Sequence, residues 1–239
     1  MFRRRDNRQP DQLRPVKFTR NFTKNADGSV LIELGDTKVF TTAKIDERVP
    51  AFLIGKGEGW ITAEYSLLPG STLVRSPREV TRGQPSGRTS EIQRLIGRCL
   101  RAVVDRRALG ERTITIDCDV LQADGGTRVA SICGAFLALY DSLKKLQKEG
   151  VFDDLPLSEH MAAVSVAQVK GQLLLDPNYS EDSQAEMDSN IVLTESGKLL
   201  ELQITAETVP YNSDKVGELL ALGTKGVQEI IARQYEVIN

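Results

Sequence analysis

Histidine is almost missing from this chain: His160 is the only one in 239 residues. Catalysis by a histidine-activated nucleophile is therefore poorly supported. Cysteine is scarce too. Cys99, Cys118 and Cys133 fall inside predicted helices and a strand, form no even set and lack metal-ligand spacing. That excludes a disulfide framework and leaves reduced core thiols. No stretch approaches the ~18 apolar residues of a membrane span, and no apolar run stands behind Met1-Phe2-Arg3-Arg4-Arg5-Asp6, so a cytoplasmic protein with no membrane partner is expected. Nucleotide loops are missing as well: Gly55 to Gly59, GKGEG, matches neither a dinucleotide fingerprint nor a Walker loop and reads as a mobile hairpin loop.

The most informative feature present is Gly125-Gly126-Thr127-Arg128. Ahead of it, Ile114, Ile116, Cys118 and Val120 alternate with polar residues as in a half-buried strand, and Val129 to Leu146 then reads as helix. Free N–H groups and the positive dipole end at a helix start favour an anion, and glycines let it approach the backbone. Arg128 sharpens this, because a cation there is unfavourable by about 0.3–1 kcal/mol unless something negative joins it. Arg88 repeats the pattern. Ser90 and Gln93 have capping-box spacing, so Arg88 is expected just ahead of another helix. Two arginines at two helix starts suggest one shared oxyanion; the alternative is a common strand-to-helix turn whose arginine reaches solvent or a distant carboxylate.

Net charge is only −2, but its distribution is uneven. Residues 75–112 hold ten arginines, no lysine and four acids, whereas 176–239 hold twelve acids against four basic residues. One region is suited to phosphates and the other to a cation. Arg94, Arg98 and Arg101 read as helix-surface residues that solvate a face or meet a neighbouring subunit. In Glu181 to Asp188, EDSQAEMD, an extended backbone would put Asp182, Glu186 and Asp188 on one face. Their repulsion is relieved by a hard cation such as Mg²⁺ or by one carboxyl keeping its proton. The alternative is a solvated acidic loop. Inorganic phosphate as nucleophile fits this inventory, since it needs cations and an acid but no side-chain base.

The pattern loosens around Lys148 to Leu157, dividing the chain into residues 1–152 and 153–239. Strands at Val30 to Leu34, Lys38 to Ile45 and Trp60 to Tyr65 precede helices in the first unit. The second has strands near Ala162 to Val169, Gln172 to Leu175, Ile191 to Thr194 and Leu199 to Thr205, then a helix with Ser213 as N-cap. Strands followed by helices in both halves give an α+β fold, not an alternating parallel sheet. The long Leu68 to Pro85 connection has no apolar periodicity, which marks a functional or disordered loop.

In GRTSEIQRLIGR, DCDVLQADGGTR, DQLRPV, GSVLIELGDTKV, GWITAEYSLLP and EDSQAEMD, spread over nearly the whole length, the chain resembles the bacterial ribonuclease PH family of phosphate-dependent exoribonucleases. The resemblance implies an N-terminal domain like domain 2 of a small-subunit ribosomal protein, a smaller α+β domain behind it, and a homohexameric ring built as a trimer of dimers. It implies that Arg88, Gly126, Thr127 and Arg128 bind orthophosphate. It makes Asp182 and Asp188 the catalytic acids linked to Mg²⁺ or Mn²⁺. The implied substrates are transfer-RNA 3′ ends and other RNAs, shortened reversibly with release of nucleoside diphosphates. Arg75 and Arg78 are the expected RNA contacts, with Tyr65 either stacking on a base or part of the core.

Three positions depart from the family pattern: Ile54 and Gly70 stand for usual arginines, and Ile204 for a usual glycine. Losing two phosphate contacts would flatten the salt dependence of RNA binding by about 0.7 in log-log slope per contact. Ile204→Gly is expected to be tolerated or to improve activity. The rival readings are a non-catalytic RNA-binding ring subunit, which needs no such set of arginines and acids, and a small-molecule kinase, which wants a glycine-serine nucleotide loop that is absent.

Overall fold

In the computed structural model, residues 3–208 and 210–239 are described; Met1, Phe2 and Val209 lie outside them, as do the side chains of Val80 and Arg82. Period-two stretches build a five-stranded sheet from β1 (Val16–Arg20), β2 (Gly28–Leu34), β3 (Thr37–Asp46), β4 (Trp60–Leu67) and β5 (Thr113–Gln122), in the order β1-β2-β3-β5-β4. Neighbours are antiparallel except β4 and β5, which run parallel. A parallel pair needs a crossover, and helices α1 (Gly87–Ala102) and α2 (Arg106–Leu109) supply it. In β5, Ile114, Ile116, Cys118 and Val120 are buried, as their alternation requires. A second, antiparallel sheet has the order β7-β6-β8-β9, from β6 (Met161–Val169), β7 (Gln172–Leu175), β8 (Met187–Thr194) and β9 (Leu199–Ala206). Helices α3 (Thr127–Lys148), α4 (Tyr179–Asp182) and α5 (Val216–Ile238) complete the elements.

Helices α1, α3 and α5 each touch both sheets, so one apolar core joins the two units. The sequence of α3 explains its central place. Residues 129–139 are buried without a break, and a helix segment apolar all round has no face to offer water. Small residues let it approach the first sheet closely: a Cβ on Gly134 would lie 3.0 Å from Ile32 and Thr41, and one on Gly28 would overlap the Ala138 carbonyl. Cys99, Cys118 and Cys133 are buried free thiols, as their scarcity and spacing imply. Burial pushes the thiols of Cys99 and Cys133 up to about 12, and that of Cys118 upward too.

Several local expectations are corrected. The polar leader contains a strand, β1, and buries Arg4 and Arg14 through ion pairs with distant acids. The GKGEG segment does not join a hairpin, because β3 and β4 are not neighbours; β5 lies between them. Its Glu58 pairs with Arg106 at 3.0 Å. The cap of α1 is Ser86, whose side chain accepts from the Thr89 N–H, so Arg88 sits inside the first turn and not ahead of it. Ahead of α5 a 3₁₀ turn, Ser213–Lys215, is capped by Asn212 in place of Ser213. Ile204 pairs with Ser189 in regular register with φ outside the left-handed region, so the backbone there does not require glycine. Arg101 lies over the Trp60 ring, 4.3 Å from its centroid, and Arg98 pairs with Glu201 at 2.7 Å, so neither merely solvates a face.

Strand propensity alone favours Gly28→Ala, since glycine weakens a strand. The contact with Ala138 reverses the sign: the substitution is expected to cost about 1–3 kcal/mol, as overpacking does, read from the urea midpoint.

Candidate active site

Strand β5 ends in the turn that carries Gly125 and Gly126, both in left-handed conformation (φ 77° and 68°), and Gly126 is the N-cap of α3. These torsions suit glycine and cost other residues about 1–2 kcal/mol. Thr127 and Arg128 therefore open the helix, where the first N–H groups have no intrahelical acceptor. The Thr127 hydroxyl and the Tyr65 hydroxyl share a hydrogen bond of 2.8 Å. Tyr65 is buried, which answers the choice left open by its sequence: it is a core residue tying β4 to the turn, not a stacking surface. Arg128 donates from Nη1 to Gln203 Oε1 of β9 at 2.8 Å and lies 3.6 Å from Glu91 of α1.

Arg88 enters from the first turn of α1. Both guanidinium charges act on the Tyr65 hydroxyl, on Asp182 and on Asp188. Asp182 is the last residue of α4, a single turn closed by a capping box between Asn178 and Glu181. Asp188 is the second residue of β8, opposite Thr205 of β9 and Ala167 of β6. Burial pushes the Asp182 carboxyl up, against the arginines. Burial and then the Asp182 charge push Asp188 up. Among the described residues neither carboxylate has a hydrogen-bond or ion-pair partner.

The expected acidic face is only partly formed. The segment is not extended: α4 and a turn precede β8, and Glu186 leaves the other two acids to accept from Gln168 Nε2 at 2.8 Å and the Gly171 N–H at 3.0 Å. Those bonds, Gln168's first, lower its pKa. Glu207, just past β9, takes the third place, its charge acting on both aspartates. No group of three or more His, Cys, Asp or Glu with the geometry to hold a metal ion occurs among the described residues. Two unpaired oxygen ligands nevertheless suit Mg²⁺, which commonly binds one or two carboxylates and completes its shell with water and substrate phosphate.

The long 68–85 connection borders this site. Its start is tied to β5 by the Ala123 N–H donating to Ser71 O at 2.8 Å, and its end to α1 by the Thr89 hydroxyl donating to Glu79 at 2.7 Å. Arg75 and Arg78 lie exposed between these ties. Gly70 has open space around an added Cβ, and Ile54 is 68% exposed, so steric need explains neither departure from arginine. His160 stands at the other end of β6 from Ala167. It stacks on Tyr235 at 4.3 Å, and burial lowers its pKa, so it is structural.

Two sheets bridged by shared helices, with Arg88 and Arg128 at helix starts of the first unit and Asp182 and Asp188 in the second, make a two-domain α+β protein with opposite charges gathered where the units meet. The chain belongs to the 3′ exoribonuclease family: domain 1 of that family matches residues 12–145 and domain 2 residues 160–226. It is 54% identical over 236 residues to Ribonuclease PH of Syntrophomonas wolfei, with 99% of each chain covered. Rice Rrp46 shares the fold at 19% identity, with a TM-score of 0.80 over 99% of this chain and 100% of that one. So does a chain of the Archaeoglobus fulgidus exosome with RNA bound to the active site, at 23% identity and a TM-score of 0.82 over 97% of this chain and 92% of that one.

A carboxyl whose pKa is raised by folding binds its proton more tightly in the folded state, so its ionisation at pH 7 opposes stability and the opposition fades as the pH falls through the raised pKa. In metal-free protein, Asp188→Asn is expected to leave the urea midpoint at pH 7 unchanged or higher, with the difference closing toward pH 4. A lower midpoint at pH 7 would mean that a partner holds the carboxylate.

Proposed function

We propose that this site uses orthophosphate to remove the 3′-terminal nucleotides of transfer-RNA precursors and other RNAs. That the chain is a phosphorolytic 3′-to-5′ exoribonuclease follows from its full-length identity to a ribonuclease PH and from the presence of both family domains. The observation that carries the site assignment is the convergence of Arg88 and Arg128 with Asp182 and Asp188, from four different elements, within electrostatic reach of one another.

In this reading Arg88, Arg128 and the N–H groups of the Gly126-Thr127 turn hold orthophosphate. One of its oxygens forms a bond to the phosphorus of the terminal phosphodiester. The bond from that phosphorus to the 3′ oxygen of the preceding nucleotide breaks, the 3′ oxygen takes a proton, and a nucleoside diphosphate leaves. A site carboxyl with a raised pKa is a suitable source of that proton. Asp182 and Asp188 would hold Mg²⁺ or Mn²⁺, which when bound supplies charge neutralisation at the phosphoryl oxygens. Arg75 and Arg78 extend the positive surface toward the RNA chain. The same reading includes a homohexameric ring, a cytoplasmic setting, and residues 1–152 and 153–239 as the two functional units.

The test follows nucleoside diphosphate release from a transfer RNA with a short 3′ extension, with Mg²⁺ and with or without orthophosphate. Release only with orthophosphate is expected; RNA binding without release in either condition would overturn the reading in favour of a ring subunit without activity. Arg88→Ala and Arg128→Ala are each expected to lower kcat/KM for orthophosphate about 10- to 100-fold, the scale of a lost charge-assisted hydrogen bond, with the urea midpoint unchanged for the exposed Arg88 and somewhat lower for Arg128, which also loses its bond to Gln203. Asp182→Asn is expected to reduce turnover far more than RNA affinity.

A further inference from the structure

Arg14 lies just ahead of β1, and only 5% of its surface is exposed. Its backbone N–H and Nε both donate to Asp176 Oδ2 at 2.9 Å, and Nη2 donates to Asp176 Oδ1 at 2.6 Å. The outer edge of the guanidinium faces the other way, onto the phosphate turn: Nη1 donates to Asp124 O at 2.6 Å and Nη2 to Gly125 O at 3.3 Å. The fully buried Thr37 completes the arrangement. Its hydroxyl donates to Gly125 O at 2.6 Å and accepts from the Asp124 N–H at 2.9 Å.

One side chain thus joins the turn that opens α3 to the segment that leads into α4 and Asp182. Arg4 reinforces the second half of the joint, donating from Nε and Nη2 to Glu181, the residue before Asp182, and from Nη2 to Asp176 O. Each nitrogen of the Arg14 guanidinium donates within the protein, and these bonds use four of its five N–H groups.

Peptide planarity gives these bonds a consequence. The C=O of Gly125 and the N–H of Gly126 belong to one rigid plane and point in opposite directions. Holding Gly125 O against Arg14 and Thr37 turns the Gly126 N–H away from them; holding Asp124 O does the same for the Gly125 N–H. Both glycines occupy left-handed torsions in which they would otherwise have wide freedom. We propose that Arg14 and Thr37 are positioning residues that orient the amides of the phosphate turn, and that Arg14 through Asp176 also sets the turn's position relative to Asp182. This rests on the phosphorolytic reading of the same site.

Thr37→Val keeps the volume and removes the hydroxyl; Arg14→Lys keeps a charge for Asp176 and removes the fork on the two carbonyls. KM for orthophosphate in phosphorolysis and Kd for orthophosphate by titration calorimetry are measured with the urea midpoint as control. Both constants are expected to rise about ten-fold in Thr37→Val, with kcat within about three-fold of wild type and RNA affinity unchanged. Arg14→Lys is expected to move the constants in the same direction; if it does not fold, Thr37→Val decides alone. A lower urea midpoint with unchanged phosphate constants would overturn the proposal and leave a structural joint only. If the wild type bound orthophosphate but released no diphosphate, the phosphorolytic reading would fall, while a weaker Kd in Thr37→Val would still uphold the orienting role. If the wild type did not bind orthophosphate, both would fall.

Discussion

The packing of the Gly125-Gly126 turn against Pro177, Asn178 and Tyr179 is the constraint on which the active site depends. A Cβ on Gly125 would lie 2.8–2.9 Å from backbone atoms of those three residues, closer than Cβ atoms sit to such neighbours in folded proteins. The first sheet ends in one partner of this contact, and the second partner leads, within one helical turn, to Asp182. The arginines stand on the first domain and the acids on the second. Only when the two backbones meet do the charges share a site. The helix α3 makes that meeting reproducible, because it is packed between both sheets and cannot shift without opening the common core.

Buried ions hold the same junction. Arg4 with Glu181 and Arg14 with Asp176 form pairs at 2.7 and 2.6 Å in which every charged side chain is almost wholly shielded from water. Burying such pairs adds little net stability, because desolvation offsets much of their attraction. Removing one partner alone costs about 3–5 kcal/mol, since it strands the other charge. Their value lies in direction. Each guanidinium meets a carboxylate through two donors and also donates to backbone carbonyls, Arg14 to those of Asp124 and Gly125 and Arg4 to those of Gln9, Gln12, Leu175 and Asp176, which an apolar contact of equal area could not specify.

Long periodic segments were legible in the sequence. The alternation through β5 and the apolar repeat of α3 announced both elements and the glycine turn between them, and the helix starts at Arg88 and Arg128 followed from turn and cap chemistry. The residues that hold these elements to each other were not. Arg14 and Asp176 are 162 positions apart and Arg4 and Glu181 are 177 apart, so no local pattern links them. The segment ahead of β2 shows no period of its own, because β1 is only five residues with a half-buried pattern. Glu186 was misassigned for a related reason. Even spacing puts residues on one face only in an extended chain, and here α4 and its turn break the extension before β8 begins.

The charge pattern also explains why a reaction of this type suits a chain so poor in bases. Water must lose a proton to become a useful nucleophile near neutral pH, and the one histidine sits stacked on Tyr235 at the far end of β6. Orthophosphate arrives already anionic. What it requires is neutralisation as it nears a second anion, together with alignment, and those are supplied by cations and oriented amides fixed before the substrate binds. In the proposed reading Arg88 and Arg128 answer the first need and the clamped turn the second. The two aspartates are desolvated, and the Asp182 charge adds to burial in raising the proton affinity of Asp188. Two of these groups carry a cost in the free protein: an arginine in the first turn of a helix, and aspartates that are desolvated with no partner among the described residues. In the proposed reading they become mutually favourable with phosphate and metal between them, and the surrounding structure holds them in place for that.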